Sequence, residues 1–143
     1  MNPRDFSHLA ERLVNGRSPA ELRTAISRAY YAVYLVAVEH LEGMNFRINK
    51  DPAGHGEVQH HINNSGNMDL QHVSSQPGEL QGKRIRADYQ LDRRDVENPK
   101  TALSLVIQAT QMITTLDRCC TGQQRSQIIE GINDWKRKIS GSA

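Results

Sequence analysis

The stretch GKRIRADYQLDRRD, Gly82 to Asp95, crowds five basic and three acidic side chains around one tyrosine, Tyr89. Arg84 and Asp88 stand four residues apart, so on a helix they share one face, the face that also carries Leu80. A guanidinium and a carboxylate one turn apart admit two kinds of chemistry. Packed inward they neutralise each other and clamp their helix to a neighbour, with the hydroxyls of Tyr30 or Tyr31 as further partners. Facing a groove between two copies of the chain, Arg84, Asp88 and Tyr89 would hold a phosphate or a nucleotide. Asp88 as a general base is poorly tuned at neutral pH unless buried, because its reference pKa is about 3.9.

Other candidates lie elsewhere in the chain. In SRAYYA, Arg28 and Tyr31 are three apart on a helix, where a guanidinium stacks on a ring. With Arg84 and Arg86 they make the candidate nucleotide- or RNA-binding set. Arg23, Arg28 and Arg47 read first as solvated surface. His55 sits in GHG, where flanking glycines let the backbone approach something closely. His60, His61 and His72 are close in sequence, but no His-x3-His pair exists and acids are sparse, so no metal or cofactor is expected. Arg93, Arg94, Lys136, Arg137 and Lys138 read as helix ends in water, or as a weak, salt-sensitive phosphate patch. Trp135 reads as an anchor for the last helix.

The elements that must position these groups are helical. Four X-Pro steps (Asn2-Pro3, Ser18-Pro19, Asp51-Pro52, Asn98-Pro99) put a capping residue before a proline suited to a first helical turn. Ser18 with Glu21 forms a capping box. Three of these steps are expected to start helices, whereas Asp51-Pro52, followed by AGHG, is expected to turn a loop. The periodicity predicts helices over about 3–14 and 19–42, the second bearing Ile26, Ala29, Tyr30, Val33, Ala37 and Leu41 in one stripe. AYYAVYLVAV within it is apolar nearly all round, which makes it a central spine roughly 36 Å long. Glycines at 16 and 43 should end these two helices. Residues 44–78 form a loop-rich segment holding four of the six histidines, with at most a short helix over 57–63 and a turn near 70–73. A helix then carries Leu80, Ile85 and Ala87 toward Leu91, and a strong one runs from Pro99 to about Arg118 through Ala102, Leu105, Val106, Ala109, Met112, Ile113 and Leu116. A short C-terminal helix places Ile128, Ile132 and Trp135 on one side. No alternating strand pattern is expected.

The 143 residues suit one all-α domain, an up-and-down bundle of four to five helices. A net charge of +2 is too small to argue for nucleic acid by itself. No apolar run of about 18 residues exists and no signal-peptide core opens the chain, so cytoplasmic residence is expected. Cys119 and Cys120 are neighbours and do not form a standard disulfide.

The order of blocks LRTAISRAYYAVYLVAVEHLE, GHGEVQHHI and LQGKRIRADYQL, then a long apolar helix, resembles the HEPN superfamily of small prokaryotic helical proteins. It is most similar to stand-alone members with an SRAYYA helix, a HG loop and an R-x-x-A-D-Y segment, over about Leu22 to Leu116. The resemblance implies a four- to five-helix bundle, homodimers, a nucleotidyltransferase-type partner, and a place in toxin–antitoxin or antiviral defence. Ribonuclease members carry an arginine followed, after four to six residues, by a histidine, and cut RNA without metal. Here that count from Arg84 reaches Tyr89, Gln90 or Leu91, and from Arg86 reaches Leu91, Asp92 or Arg93, with no histidine. In the toxin branch a tyrosine after the motif receives AMP, a role the resemblance extends to Tyr89. The leading expectation is thus a dimerising, partner- or RNA-binding module rather than an enzyme. One rival is an endoribonuclease using Arg84 with Asp88 or Tyr89 and His55 from the loop; another is a helical scaffold.

Overall fold

The computed structural model describes residues 1–75 and 77–141; Gln76, inside the segment expected to be irregular, lies outside the described residues. Among the described residues seven α-helices follow one another: α1 (Arg4–Leu13), α2 (Pro19–Gly43), α3 (Ala53–Asn63), α4 (Met68–Ser75), α5 (Pro77–Tyr89), α6 (Pro99–Thr121) and α7 (Arg125–Gly141), with a 3₁₀ turn at Arg94–Glu97 before α6. Among the described residues there is no strand. The all-α class holds, with more helices than the four to five expected, because the segment after residue 44 is mostly helical.

The reason lies in the caps. Asn2 Oδ1 accepts the amide hydrogen of Arg4, and Asn98 Oδ1 accepts those of Lys100 and Thr101, so the first and last X-Pro steps start helices as expected. At Ser18 the backbone N–H of Glu21 donates to Oγ at 3.2 Å, while Oγ donates to the Glu21 carboxylate at 2.6 Å. The step expected to turn a loop behaves like the others: Asp51 Oδ1 accepts from Ala53 N at 2.9 Å, and α3 begins there and runs through GHG. Asn67 Oδ1 accepts from Leu70 N at 3.0 Å and caps α4. Helix α5 stops at Tyr89, two residues short of the expected Leu91, and α7 is longer than the short piece expected, at 17 residues.

The chain divides into two compact units, and α2 and α6 each contribute to both. The first unit comprises Met1–Val36 and Pro77–Ile113. Its core takes Leu22, Ile26, Ala29, Tyr30 and Val33 of α2, Leu80 and Ala87 of α5, Val96 of the 3₁₀ turn, and Ala102, Leu105, Val106, Ala109, Met112 and Ile113 of α6. Each large aliphatic chain so buried contributes roughly 1.5–3 kcal/mol. Ile85, expected inside with Leu80 and Ala87, is 38% exposed, since at about 100° per residue it falls near the opposite side of the helix from them.

The second unit comprises Ala37–Gln76 and Thr114–Ala143. It buries Ala37 and Leu41 of α2, Val58 and Ile62 of α3, Leu70 and Val73 of α4, Leu116 and Cys119 of α6, and Ile128 and Ile132 of α7. Between α2 and α3 the chain alternates, with Met44, Phe46 and Ile48 buried and Asn45, Arg47 and Asn49 exposed. This is the period of a strand, found here in a single extended segment without a ladder. The turn out of α2 uses Asn45, at φ 68°, and not Gly43; likewise the turn after α1 uses Arg17, at φ 67°, and not Gly16. Helix α7 passes so near the chain at Ser65 that a Cβ at Gly131 would overlap the Ser65 carbonyl. Among the described residues no helix is long and apolar enough to cross a membrane.

Candidate functional site

In the first unit the RIRADY segment meets the SRAYYA segment side by side. Arg84 points inward from α5, 8% exposed. Taking a guanidinium out of water demands compensation. Asp88, one turn on, supplies a carboxylate with Oδ2 3.7 Å from Nη1. The guanidinium carbon also lies 5.0 Å from the ring centre of Tyr30 and 5.3 Å from that of Tyr31. Asp88 Oδ2 accepts a hydrogen bond from Ser27 Oγ at 3.1 Å, so the pair is tied to α2 at both charges. As a residue Asp88 is exposed, but its side chain is only 26% exposed; the backbone at the helix end accounts for the difference. Arg84 Nε is buried with no hydrogen-bond partner. Burial pushes the Tyr30 phenol up to about 12, although the Arg84 cation pulls the other way. Tyr30 therefore stays a neutral donor.

Arg28 joins the same cluster from α2. Its guanidinium lies 4.8 Å from the Tyr31 ring centre and 5.2 Å from that of Phe6, and Nη2 donates to Ser27 Oγ at 3.3 Å. The Tyr31 ring is therefore within reach of two cations. Of the expected binding set, Arg84, Arg28 and Tyr31 come together, and Arg86 does not join them: its Nη1 is 3.0 Å from Asp95, which also takes Lys83 Nζ at 2.8 Å. Tyr89 is 72% exposed at the end of α5. His55, half-buried on α3, belongs to the second unit.

The residue that sequence reasoning missed is Arg23. Read as solvated surface, it is instead 7% exposed, and its guanidinium bonds along the segment from Arg86 to Glu97. Nη1 donates to the carbonyls of Arg86, Ala87 and Gln90 at 2.9, 3.0 and 3.3 Å. Nη2 donates to those of Leu91 and Arg93 at 3.3 and 2.8 Å, and Nε donates to the Glu97 carboxylate at 2.8 Å. A helix end leaves carbonyls without partners, and no glycine follows Tyr89 to turn the chain back and satisfy them. One arginine from α2 does so, and draws the following loop round itself. The available signal was position: Arg23 lies three and seven residues before Ile26 and Tyr30, on the apolar stripe of the spine. Arg47 is exposed, as expected of a solvated side chain.

Comparison with family models, curated proteins and solved structures finds no match for this chain. The chemistry of the site is therefore read from its own atoms. Two guanidiniums, two phenols, one hydroxyl and one carboxylate converge, a set that binds and orients charge. It contains no imidazole to move a proton near neutral pH. Among the described residues no group of three histidine, cysteine or acidic side chains is arranged to hold a metal ion.

Proposed function

We propose that the chain is a HEPN-like helical module, cytoplasmic and dimerising, that serves a toxin–antitoxin or antiviral defence complex by binding a nucleotidyltransferase-type partner or RNA, and that it does not cut RNA. The observation that carries this reading is the commitment of Arg84. The arginine of RIRADY is held by Asp88 and by the rings of Tyr30 and Tyr31 in SRAYYA, with no histidine four to six residues on. The two blocks that bear the resemblance, some sixty residues apart in the chain, pack against each other in one unit, with Ser27 bonded to Asp88. An arginine so engaged orients a surface better than it stabilises a reacting phosphate. The first unit also exposes Leu103 and Ile107 on α6, beside a groove of about 320 Å³ lined by Val14 and Glu11, an apolar surface of the kind a protein partner covers.

Light scattering on the purified protein should give the mass of a dimer. Labelled structured RNA incubated with the protein, with and without EDTA, should stay intact. A partner or RNA that co-purifies with the native chain should be lost from Arg28→Ala. Cleavage that survives EDTA and disappears in Arg84→Ala would overturn the binding reading in favour of a nuclease. One further reading has an observation of its own: Tyr89 presents its hydroxyl to solvent, as a modified tyrosine must. Incubation with a nucleotidyltransferase and ATP should then add the mass of AMP to the peptide containing Tyr89.

A further inference from the structure

The second unit buries a histidine that plays no part in the site above. His61 on α3 is 5% exposed. Its Nδ1 lies 2.6 Å from the carbonyl oxygen of Glu57. A carbonyl only accepts, so Nδ1 carries the hydrogen and Nε2 keeps a lone pair. That Nε2 is buried and has no hydrogen-bond partner. The ring is flanked by Phe46, 5.7 Å between centres, and by Trp135 of α7, 5.3 Å away and edge-on. A second proton would therefore place a cation among aromatic rings with nothing to accept its hydrogen.

The charges around it do not help. From α7, the Lys136 ammonium sits 5.2 Å from the Phe46 ring centre and opposes a charge on His61. On α3, His60 opposes it too. Glu57 favours the charge, but its carboxylate is already taken by the backbone N–H of Asn49, at 2.9 Å, and by the Asn49 side-chain amide. Burial, the largest influence, holds the ring below its ordinary 6.5.

We propose that His61 is a pH-operated latch: its neutral ring holds Trp135 of α7 and Phe46 against α3, and its protonation releases them. The unfolded or opened chain takes up a proton near pH 6.5 while the closed state resists it. The closed state is therefore fully favoured above about 6.5 and weakens as pH falls below that value. Release would bare Phe46 and Trp135 as a new apolar surface, so mild acid would change what the second unit can bind.

Trp135 is the one tryptophan in the chain, which makes its emission a direct report. Emission of the full-length protein should fall or shift on titration from about pH 7.5 to about pH 5, and the melting temperature should drop by about 3 °C or more over the same range. His61→Phe, with the other five histidines intact, should abolish the step. Lys136→Met removes the opposing cation and should move the midpoint to higher pH. A flat emission profile in the native protein overturns the proposal, as does a step that persists in a folded His61→Phe protein. Should that variant not fold, an unchanged midpoint in Lys136→Met overturns it instead.

Discussion

In the first unit, Arg23 and Arg84 enter the interior as full cations, and each is met by acceptors or rings brought from another helix. In the second unit, the buried titratable ring is His61, which stays neutral because little around it accepts a second proton. The two regions use buried polarity in opposite ways. Permanent charges that cannot be shed must be satisfied by geometry, and they fix how α5 and the loop after it run over α2. A group that can lose its charge needs no such network, and its packing depends on the proton. The first arrangement is rigid across the ordinary pH range; the second is conditional.

The largest effect expected from breaking this contrast is at Arg23. Arg23→Ala would leave the Glu97 carboxylate and the carbonyls at the end of α5 without their donor, at a cost of about 3–5 kcal/mol. Urea unfolding should show a lowered midpoint. Arg23→Lys should recover only part of it, because one ammonium cannot span carbonyls from Arg86 to Arg93. A loss below about 1 kcal/mol, the size of a surface ion pair, would mean that the hub contributes no more than ordinary exposed charge.

Arg23 also marks where the sequence stopped being readable. The long helices were legible because α2 and α6 keep an apolar period for more than 20 residues, and every residue of the stripe from Ile26 to Leu41 is buried. The Arg84–Asp88 pair was legible because its spacing is local. Arg23 was not, since its partners apart from Glu97 are backbone carbonyls 63 to 70 residues away, and backbone atoms carry no sequence signature. Helices α3 and α4 were foreseen only in part, as a short helix over 57–63 and a turn near 70–73, for another reason. They are short, and tertiary burial of Val58, Ile62, Leu70 and Val73 stabilises what their length, and in α3 the two glycines, disfavour. Their start signals, Asp51 and Asn67, were present and look like any loop asparagine or aspartate.

Two glycines sharpen the comparison at smaller scale. Gly131→Ala drives a methyl into the Ser65 carbonyl of the second unit and should cost about 1–3 kcal/mol, because backbone, not a flexible side chain, must move. Gly82→Ala, in the middle of α5 with nothing within 4 Å of the new Cβ, should stabilise the first unit by about 0.4–1 kcal/mol. Thermal melts of the two variants should move in opposite directions; a destabilising Gly82→Ala would show that α5 packs more closely there than the open space implies.

The smallest effect is the one that separates the units by pH. Lys83 and Arg86 beside Asp95, the Lys83 hydrogen bond foremost, hold its carboxyl down at about 2. A carboxylate with a lowered pKa contributes stability above its ordinary value near 3.8, and that contribution is lost as pH falls toward 2. The side chain is 36% exposed, so solvent screens the pair, and Asp95→Asn should cost only about 0.5 kcal/mol at neutral pH. The difference between native and variant should close between about pH 4 and pH 2. His61 acts in another window, below about 6.5. Between the two windows the second unit should already be weakened while the first still holds its charges. Amide exchange at about pH 5 should therefore show α3 and α7 opening before α5, and equal loss of protection in all three would place the acid-sensitive group outside the second unit.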